Sequence, residues 1–150
     1  MLMKQKVTLY TLRNPHGLRA TITNLGGRVV SLFVPDRNGI LRDVVLGFEN
    51  VEDYLPENHR SDFGAAIGRY ANRLNNGQIT IDGKTYQLPQ NDGKNCLHGG
   101  PDGWQYRIFN PTFTPKKFFH RNSGLFTRVR FCKSLIFNIC LVSRRNICVL

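Results

Sequence analysis

Apolar and polar positions follow a period of two over the first part of the chain. Residues 7–12 are rich in β-branched and aromatic side chains, and residues 18–23 alternate apolar with polar ones. The sequence Asn-Pro-His-Gly at 14–17 separates them and is typical of a turn. This pattern predicts a β-hairpin with one buried face. Two glycines at 26–27 interrupt the run, which indicates a bulge or a close approach between backbones.

The same type of pattern recurs further along the chain and predicts more strands. Those strands are expected over residues 29–34, 40–46, 78–81 and 84–88. Residues 35–39, Pro-Asp-Arg-Asn-Gly, form a strong turn sequence. The pair Asp82-Gly83 predicts a tight hairpin, because both positions of that turn need a positive φ. A short helical turn is expected between 49 and 55, and no long helical period or repeat is found. The predicted fold class is therefore mainly β, an antiparallel β-sandwich.

Composition divides the chain into two parts. The sequence is 41% hydrophobic and 11% aromatic, which excludes wholesale disorder. Of its net charge of +11, residues 1–110 contribute 13 Lys and Arg against 10 Asp and Glu, whereas residues 111–150 hold eight Lys and Arg and no acid. Folded surfaces normally mix both signs of charge. We predict a β domain over 1–110 and a basic tail over 111–150. Our hypothesis is that the tail is disordered or results from a shifted reading frame near codon 110, and the alternative is a true basic arm.

Several classes of protein are not expected. No run approaches the roughly 18 apolar residues of a membrane span. The first residues turn polar before the core of a signal peptide forms, so we expect a cytoplasmic protein without a membrane partner. Cys96 and His98 are too few for a zinc site, and Cys132, Cys140 and Cys148 lack a completing ligand. We expect no metal, no cofactor and no disulfide.

Two loop clusters carry the polar side chains best suited to binding. Residues 68–73 precede the second predicted hairpin, and residues 91–103 follow it. Because a hairpin places its flanking segments at the same end of a sheet, Asn72 and Arg73 are expected near His98. An amide, a guanidinium and an imidazole on one face suit a ligand with several hydroxyl groups.

These motifs, in this order, closely resemble the aldose 1-epimerase (galactose mutarotase) family. They are Gly-Arg-Tyr-Ala-Asn-Arg (68–73), Asp-Gly-Lys-x-Tyr-x-Leu (82–88) and Asn-Cys-Leu-His-Gly-Gly (95–100), with Thr-Asn-Leu-Gly-Gly (23–27) and Asp-Val-Val-Leu-Gly-Phe (43–48) upstream. The resemblance covers about residues 7–109. It implies the N-terminal portion of a large β-supersandwich. It also implies an enzyme that interconverts the α and β anomers of hexoses such as galactose and glucose without a cofactor.

By this resemblance, Asn72, Arg73 and His98 are substrate-binding residues for a small-molecule hexose. The family's acid, a histidine in a His-x-Tyr-Phe-Asn type motif, and its glutamate base lie further downstream. Residues 103–150 contain no Asp or Glu, and His120 has different neighbours from that histidine. The resemblance therefore implies a truncated chain that lacks the catalytic acid and base, with little or no mutarotase activity.

Alternative functions stay open from the sequence. A non-catalytic module would bind carbohydrate through the same three residues or nucleic acid through the basic tail, although we do not expect nucleic acid as the partner. An epimerase of hexose-6-phosphates is another alternative, but the Asn-Arg and Leu-His-Gly-Gly motifs favour an unphosphorylated sugar. Trp104 is expected either to stack on a sugar or to pack in the core. The sequence makes no prediction of the oligomeric state.

Overall fold

Antiparallel strands dominate the computed structural model, which describes residues 6–14, 16–58, 61–116, 126–130, 136–137, 139–140 and 148–149, with only the backbone described beyond Thr112. The strands are β1 (Leu9–Arg13), β2 (Arg19–Thr23), β3 (Val29–Pro35), β4 (Leu41–Asp43), β5 (Arg73–Leu74), β6 (Gln78–Ile81), β7 (Lys84–Gln87), β8 (Cys96–Leu97), β9 (Thr112–Lys116), β10 (Phe126–Arg130), β11 (Ile136–Phe137), β12 (Ile139–Cys140) and β13 (Cys148–Val149). Short 3₁₀ turns occupy Val51–Tyr54, Pro56–Asn58, Asn75–Gly77 and Trp104–Tyr106. The mainly antiparallel β class predicted from the sequence is confirmed.

The first four strands form one sheet in the order β1-β2-β3-β4. Strands β1 and β2 pair along their whole length and form the first predicted hairpin. The Asn14 side chain stabilises the turn between them, because its Oδ1 accepts hydrogen bonds from the backbone N–H of His16 at 3.0 Å and of Leu18 at 2.9 Å. Side-chain oxygens of Asn commonly cap turns in this way.

A β-bulge between β2 and β3 changes which residues of β3 face the core. Thr21 pairs with Ser31, but the next residue, Ile22, pairs with Val29, so Val30 is the extra residue. A bulge shifts the alternation of faces by one position. As a result Val29 and Leu32, three residues apart, both pack against the core.

The glycines before this bulge allow a close approach between backbones, as their sequence indicated. Gly26 has a φ of 69°. A Cβ atom added to it would lie 2.5 Å from the backbone oxygen of Gln105. Its N–H donates to the carbonyl of Arg107 at 2.7 Å. Only glycine combines that φ with that spacing at low cost.

Strand β4 is shorter than predicted, covering Leu41–Asp43 within the expected 40–46. The Asp43 side chain accounts for the early end. Its Oδ1 accepts hydrogen bonds from the N–H of Leu32 at 2.9 Å and of Val45 at 3.2 Å. A side chain that accepts from nearby backbone competes with strand pairing. The expectation of a strand up to residue 46 was therefore wrong.

The second predicted hairpin is present as β6 and β7, which pair from Gln78 with Gln87 to Ile81 with Lys84. Its turn residues Asp82 and Gly83 have φ values of 50° and 76°, as the Asp-Gly pair predicted. The hairpin is mostly exposed to solvent. It connects the two loop clusters without contributing much to the core.

A small core lies against one face of the four-stranded sheet. Its buried members are Leu18, Ile22 and Phe109. Trp104 and apolar side chains of β1 and β3 pack around them. The Phe109 N–H donates to the carbonyl of Asn24 at 2.9 Å, which holds the end of the 104–109 segment against the sheet.

The guanidinium of Arg28, just before β3, is fully buried with 0% of its side chain exposed. Its Nη1 donates to the carbonyl of Phe63 at 3.2 Å and its Nη2 to the carbonyl of Gln105 at 3.0 Å. Nη2 also lies 3.8 Å from a carboxylate oxygen of Asp62, and the Tyr54 ring centroid lies 4.9 Å from the guanidinium carbon. Burial lowers the pKa of Arg28, and the Asp62 charge opposes that shift. One buried cation therefore connects three segments of the chain.

Strands β9 to β13 lie in the part of the chain predicted as a basic tail. Strand β10 pairs with β9 and β11, and β12 pairs with β13. His120 and Cys132 lie outside the described residues. The boundary near residue 110 stays a prediction. In the described part of the chain, no helix is long and apolar enough to cross a bilayer.

We expect Ile22→Ala to lower the free energy of unfolding by about 2 to 5 kcal/mol, because Ile22 is 1% exposed in the core and the cavity cannot close fully. Leu9→Ala on the neighbouring strand is the control. Leu9 is 61% exposed, so its truncation is expected to change stability by less than about 0.5 kcal/mol. Urea unfolding followed by Trp104 fluorescence measures both, and equal losses would contradict this description of the core.

Candidate functional site

Two very short strands bring the loop clusters together. Strand β5 pairs with β8, with Arg73 opposite Leu97 and Leu74 opposite Cys96. Leu74 and Cys96 are buried, whereas Arg73 is exposed. The β5–β8 pair is therefore anchored by the buried side chains of Leu74 and Cys96, and it leaves the Arg73 side chain accessible to solvent. His98 follows β8 directly.

Asn72 and His98 are joined by two reciprocal hydrogen bonds. The Asn72 N–H donates to His98 Nδ1 at 2.9 Å, and the His98 N–H donates to the Asn72 carbonyl at 3.0 Å. Both residues have a positive φ, 65° for Asn72 and 54° for His98. That region is uncommon for residues other than glycine, but Asn and His adopt it more readily than most. The expected proximity of Asn72 and Arg73 to His98 is present in the structure.

The hydrogen bond to Nδ1 determines which imidazole nitrogen carries the proton. Because Nδ1 accepts a backbone N–H, the neutral ring carries its proton on Nε2. Within the described ranges, no residue accepts a hydrogen bond from Nε2. The His98 side chain is only partly buried, so this N–H is available to a ligand.

Arg73 makes an ion pair that the sequence did not identify. Its Nε donates to Asp92 Oδ2 at 2.5 Å. Asp92 lies in the 91–103 cluster, but none of the sequence motifs assigned it a role. The sequence did offer one signal for this ion pair: Asp92 lies in a loop that was expected to come close to Arg73. None of the residues whose side chains are described accepts from Nη1 or Nη2 of Arg73.

The polar side chains of the site present mainly hydrogen-bond donors. Asn72 Oδ1 is occupied, because it accepts the Arg73 N–H at 2.9 Å. No residue with a described side chain accepts from Asn72 Nδ2, the two Nη groups of Arg73 or His98 Nε2–H. Such groups bind ligand oxygens through their lone pairs, with added strength where negative charge develops. Among the described residues, no group of three His, Cys, Asp or Glu could hold a metal ion.

Glycines and one tryptophan hold the backbone of the two clusters together. A Cβ on Gly99 would lie 2.2 Å from the Gly68 carbonyl oxygen, and a Cβ on Gly68 would lie 2.4 Å from the Trp104 ring. The Trp104 N–H donates to the Gly68 carbonyl at 3.1 Å. Trp104 thus packs between the core and the loop at Gly68. Of its two expected roles, sugar stacking or core packing, this position agrees with core packing. Gly99 serves the backbone shape.

The sequence is similar to known proteins over most of its length. A family model described as aldose 1-epimerase matches residues 8–123. A galactose mutarotase from Bos taurus is 45% identical over 94 residues, covering 63% of this chain and 27% of that protein. A probable aldose 1-epimerase from Arthroderma benhamiae is 39% identical over 109 residues, covering 69% of this chain and 24% of that protein.

The fold is also similar to a solved structure. The GalM/aldose epimerase homologue from C. elegans superposes with a TM-score of 0.65 and 32% identity, covering 82% of this chain and 35% of that one. The chain spans about a quarter of the length of the two curated relatives. The match to the family model continues to residue 123, past the end of the sequence resemblance at about residue 109.

We expect His98 in the neutral state to carry its ring proton on Nε2, because Nδ1 accepts the Asn72 N–H. Long-range ¹H–¹⁵N NMR spectra of the ¹⁵N-labelled chain distinguish the two tautomers. The exposed His16, whose side chain makes no described hydrogen bond, is the control and should show a mixture. A His98 signal from the Nδ1–H tautomer would contradict the Asn72–His98 contact.

Proposed function

Since the chain belongs to the aldose 1-epimerase family, we propose that Asn72, Arg73 and His98 bind a hexose and serve the interconversion of its α and β anomers. The resemblance given by the sequence motifs agrees with this membership. The observation that carries the proposal is the reciprocal Asn72–His98 hydrogen bonding. It leaves the Nε2–H of His98 available to a ligand, and no described residue accepts from the Nη groups of Arg73, which follows Asn72 in the chain.

The chemistry of anomer exchange needs such donors. A base removes the proton from the C1 hydroxyl, the C1–O5 bond breaks, and an acid protonates O5. After rotation about C1–C2, O5 attacks the aldehyde carbon, its proton returns to the acid, and the carbonyl oxygen recovers a proton from the base. Negative charge develops on oxygen during these steps. The cation of Arg73 and the N–H of His98 would stabilise that charge and orient the sugar.

We further propose that this chain by itself lacks the family's general acid and base. No Asp or Glu follows Asp102 in the sequence. Asp92, the carboxylate beside the site, is already engaged with Arg73. The expected role of the 150-residue chain is therefore binding, with weak catalysis or none.

Galactose is the preferred probe, because relatives of this chain carry the name galactose mutarotase. The hydrogen-bond donors of Asn72 and His98 suit hydroxyl oxygens. The comparisons give no support to the alternative of a nucleic-acid-binding module. The cytoplasmic location expected from the sequence stays a prediction.

We expect Arg73→Ala to weaken galactose binding by about tenfold or more, because hydrogen bonds from a charged group are lost. NMR titration of the ¹⁵N-labelled chain with galactose measures the dissociation constant. Arg42→Ala is the matched control, since Arg42 is another exposed arginine whose Nε pairs with an aspartate, Asp36, at 3.0 Å. Equal affinities of the Arg73 and Arg42 variants would contradict the proposed site.

We expect the purified chain to accelerate the mutarotation of α-galactose little or not at all, because it lacks the acid and base. Polarimetry against buffer alone and against the heat-denatured chain measures the rate. Acceleration that disappears on denaturation would overturn the proposed loss of the acid and base. It would leave the proposed sugar site intact.

A further inference from the structure

We propose that Asp92 is a positioning residue, which holds the Arg73 guanidinium in the orientation that leaves both Nη groups free for a ligand. This inference rests on the proposed function of the site. Asp92 Oδ2 contacts the guanidinium at Nε, not at the Nη groups. The two Nη groups then form a fork that can reach two neighbouring oxygens of one ligand.

The backbone that carries the Asp92 carboxylate is held by hydrogen bonds within its own loop. The Asp92 N–H donates to the Asn95 carbonyl at 3.2 Å, and the Asn95 N–H donates back at 2.9 Å. The preceding residue, Asn91, binds Leu97 through both ends of its amide, accepting from its N–H at 2.8 Å and donating to its carbonyl at 3.1 Å. Leu97 is also the partner of Arg73 in the β5–β8 pair. These hydrogen bonds together fix the backbone of Asp92 relative to the backbone of Arg73.

The Asp92 carboxylate also differs from that of Asp36, another turn residue that pairs with an arginine. Asp36 accepts from Arg42 and, in addition, from the backbone N–H of Asn38 and Ile40 within its own turn. For Asp92, Arg73 is the one partner that its carboxylate has among the described residues. Its turn is closed by backbone hydrogen bonds alone. The side chain is thus not needed to form the turn.

Stability does not account for the pair either. The side chains of Arg73 and Asp92 are 55% and 33% exposed, and exposed ion pairs add little to folding free energy. A long arginine side chain, however, loses much rotational freedom when it binds a ligand. Fixing its orientation beforehand reduces that loss and favours binding. Pre-orientation of Arg73 is the effect that this geometry supports.

Four variants of the full chain test the inference by NMR titration with galactose. We expect Asp92→Ala to weaken binding about two- to fivefold, the range typical of an exposed charge pair. Asp92→Glu should recover part of the affinity. The control Asp102→Ala removes the same charge from an exposed residue of the same cluster and should bind galactose as the wild type does. The double variant R73A/D92A should bind no more weakly than R73A, because Asp92 acts through Arg73.

Two further readouts separate positioning from a structural effect. The urea midpoint of Asp92→Ala should equal that of the wild type. Hydrogen exchange of the Arg73 Nε–H should be slow in the wild type and in Asp102→Ala, and fast in Asp92→Ala. Fast exchange in the wild type would show that the pair is not formed and would overturn the inference.

The outcomes distinguish this inference from the proposed function. If Arg73→Ala loses affinity but Asp92→Ala does not, Asp92 has no positioning role and the sugar site stands. Additive losses in the double variant would likewise overturn the role of Asp92. If the wild type binds no galactose, the proposed function fails and this inference fails with it.

Discussion

The buried guanidinium of Arg28 is the constraint on which the rest of the described structure depends. An unpaired charge inside a protein is very unfavourable, so its N–H groups must find acceptors. Nη1 and Nη2 find them on carbonyls of two distant segments, at Phe63 and Gln105, beside the carboxylate of Asp62, whereas Nε has no hydrogen-bond partner among the described residues. Burial lowers the pKa of Arg28, but an arginine starts so far above neutral that it keeps its charge. Burial of Arg28 therefore requires the segments of Phe63 and Gln105 to pack against the four-stranded sheet.

The packing around Arg28 also positions the candidate site. Arg28 holds the carbonyl of Gln105, and the adjacent Trp104 packs on Gly68 at the start of the 68–73 cluster. No long strand or helix carries the site. Two paired residues on each side, several positive φ angles and closely packed glycines determine its geometry instead. Its shape thus depends on backbone contacts that tolerate few side chains.

The proposed sugar-binding residues are close in sequence as well as in space. Asn72 and His98 are separated by 26 positions, and a single exposed hairpin lies within that interval. The three residues of the proposed site therefore lie within one local loop–hairpin–loop unit. This explains how a chain that spans about a quarter of its curated relatives contains all three predicted sugar-binding residues.

The sequence alone determined the local features. The period of two identified β1 to β3, and Asp82-Gly83 identified the second hairpin, because these depend on neighbouring residues. The expected proximity of Asn72 and Arg73 to His98 followed from the same hairpin, because its two flanking segments lie at one end of the strands. Only the tertiary structure decided the early end of β4, the bulge at Val30, the burial of Arg28 and the contact of Asp92 with Arg73. These features depend on pairings with residues up to 77 positions away, which no local pattern of side chains specifies.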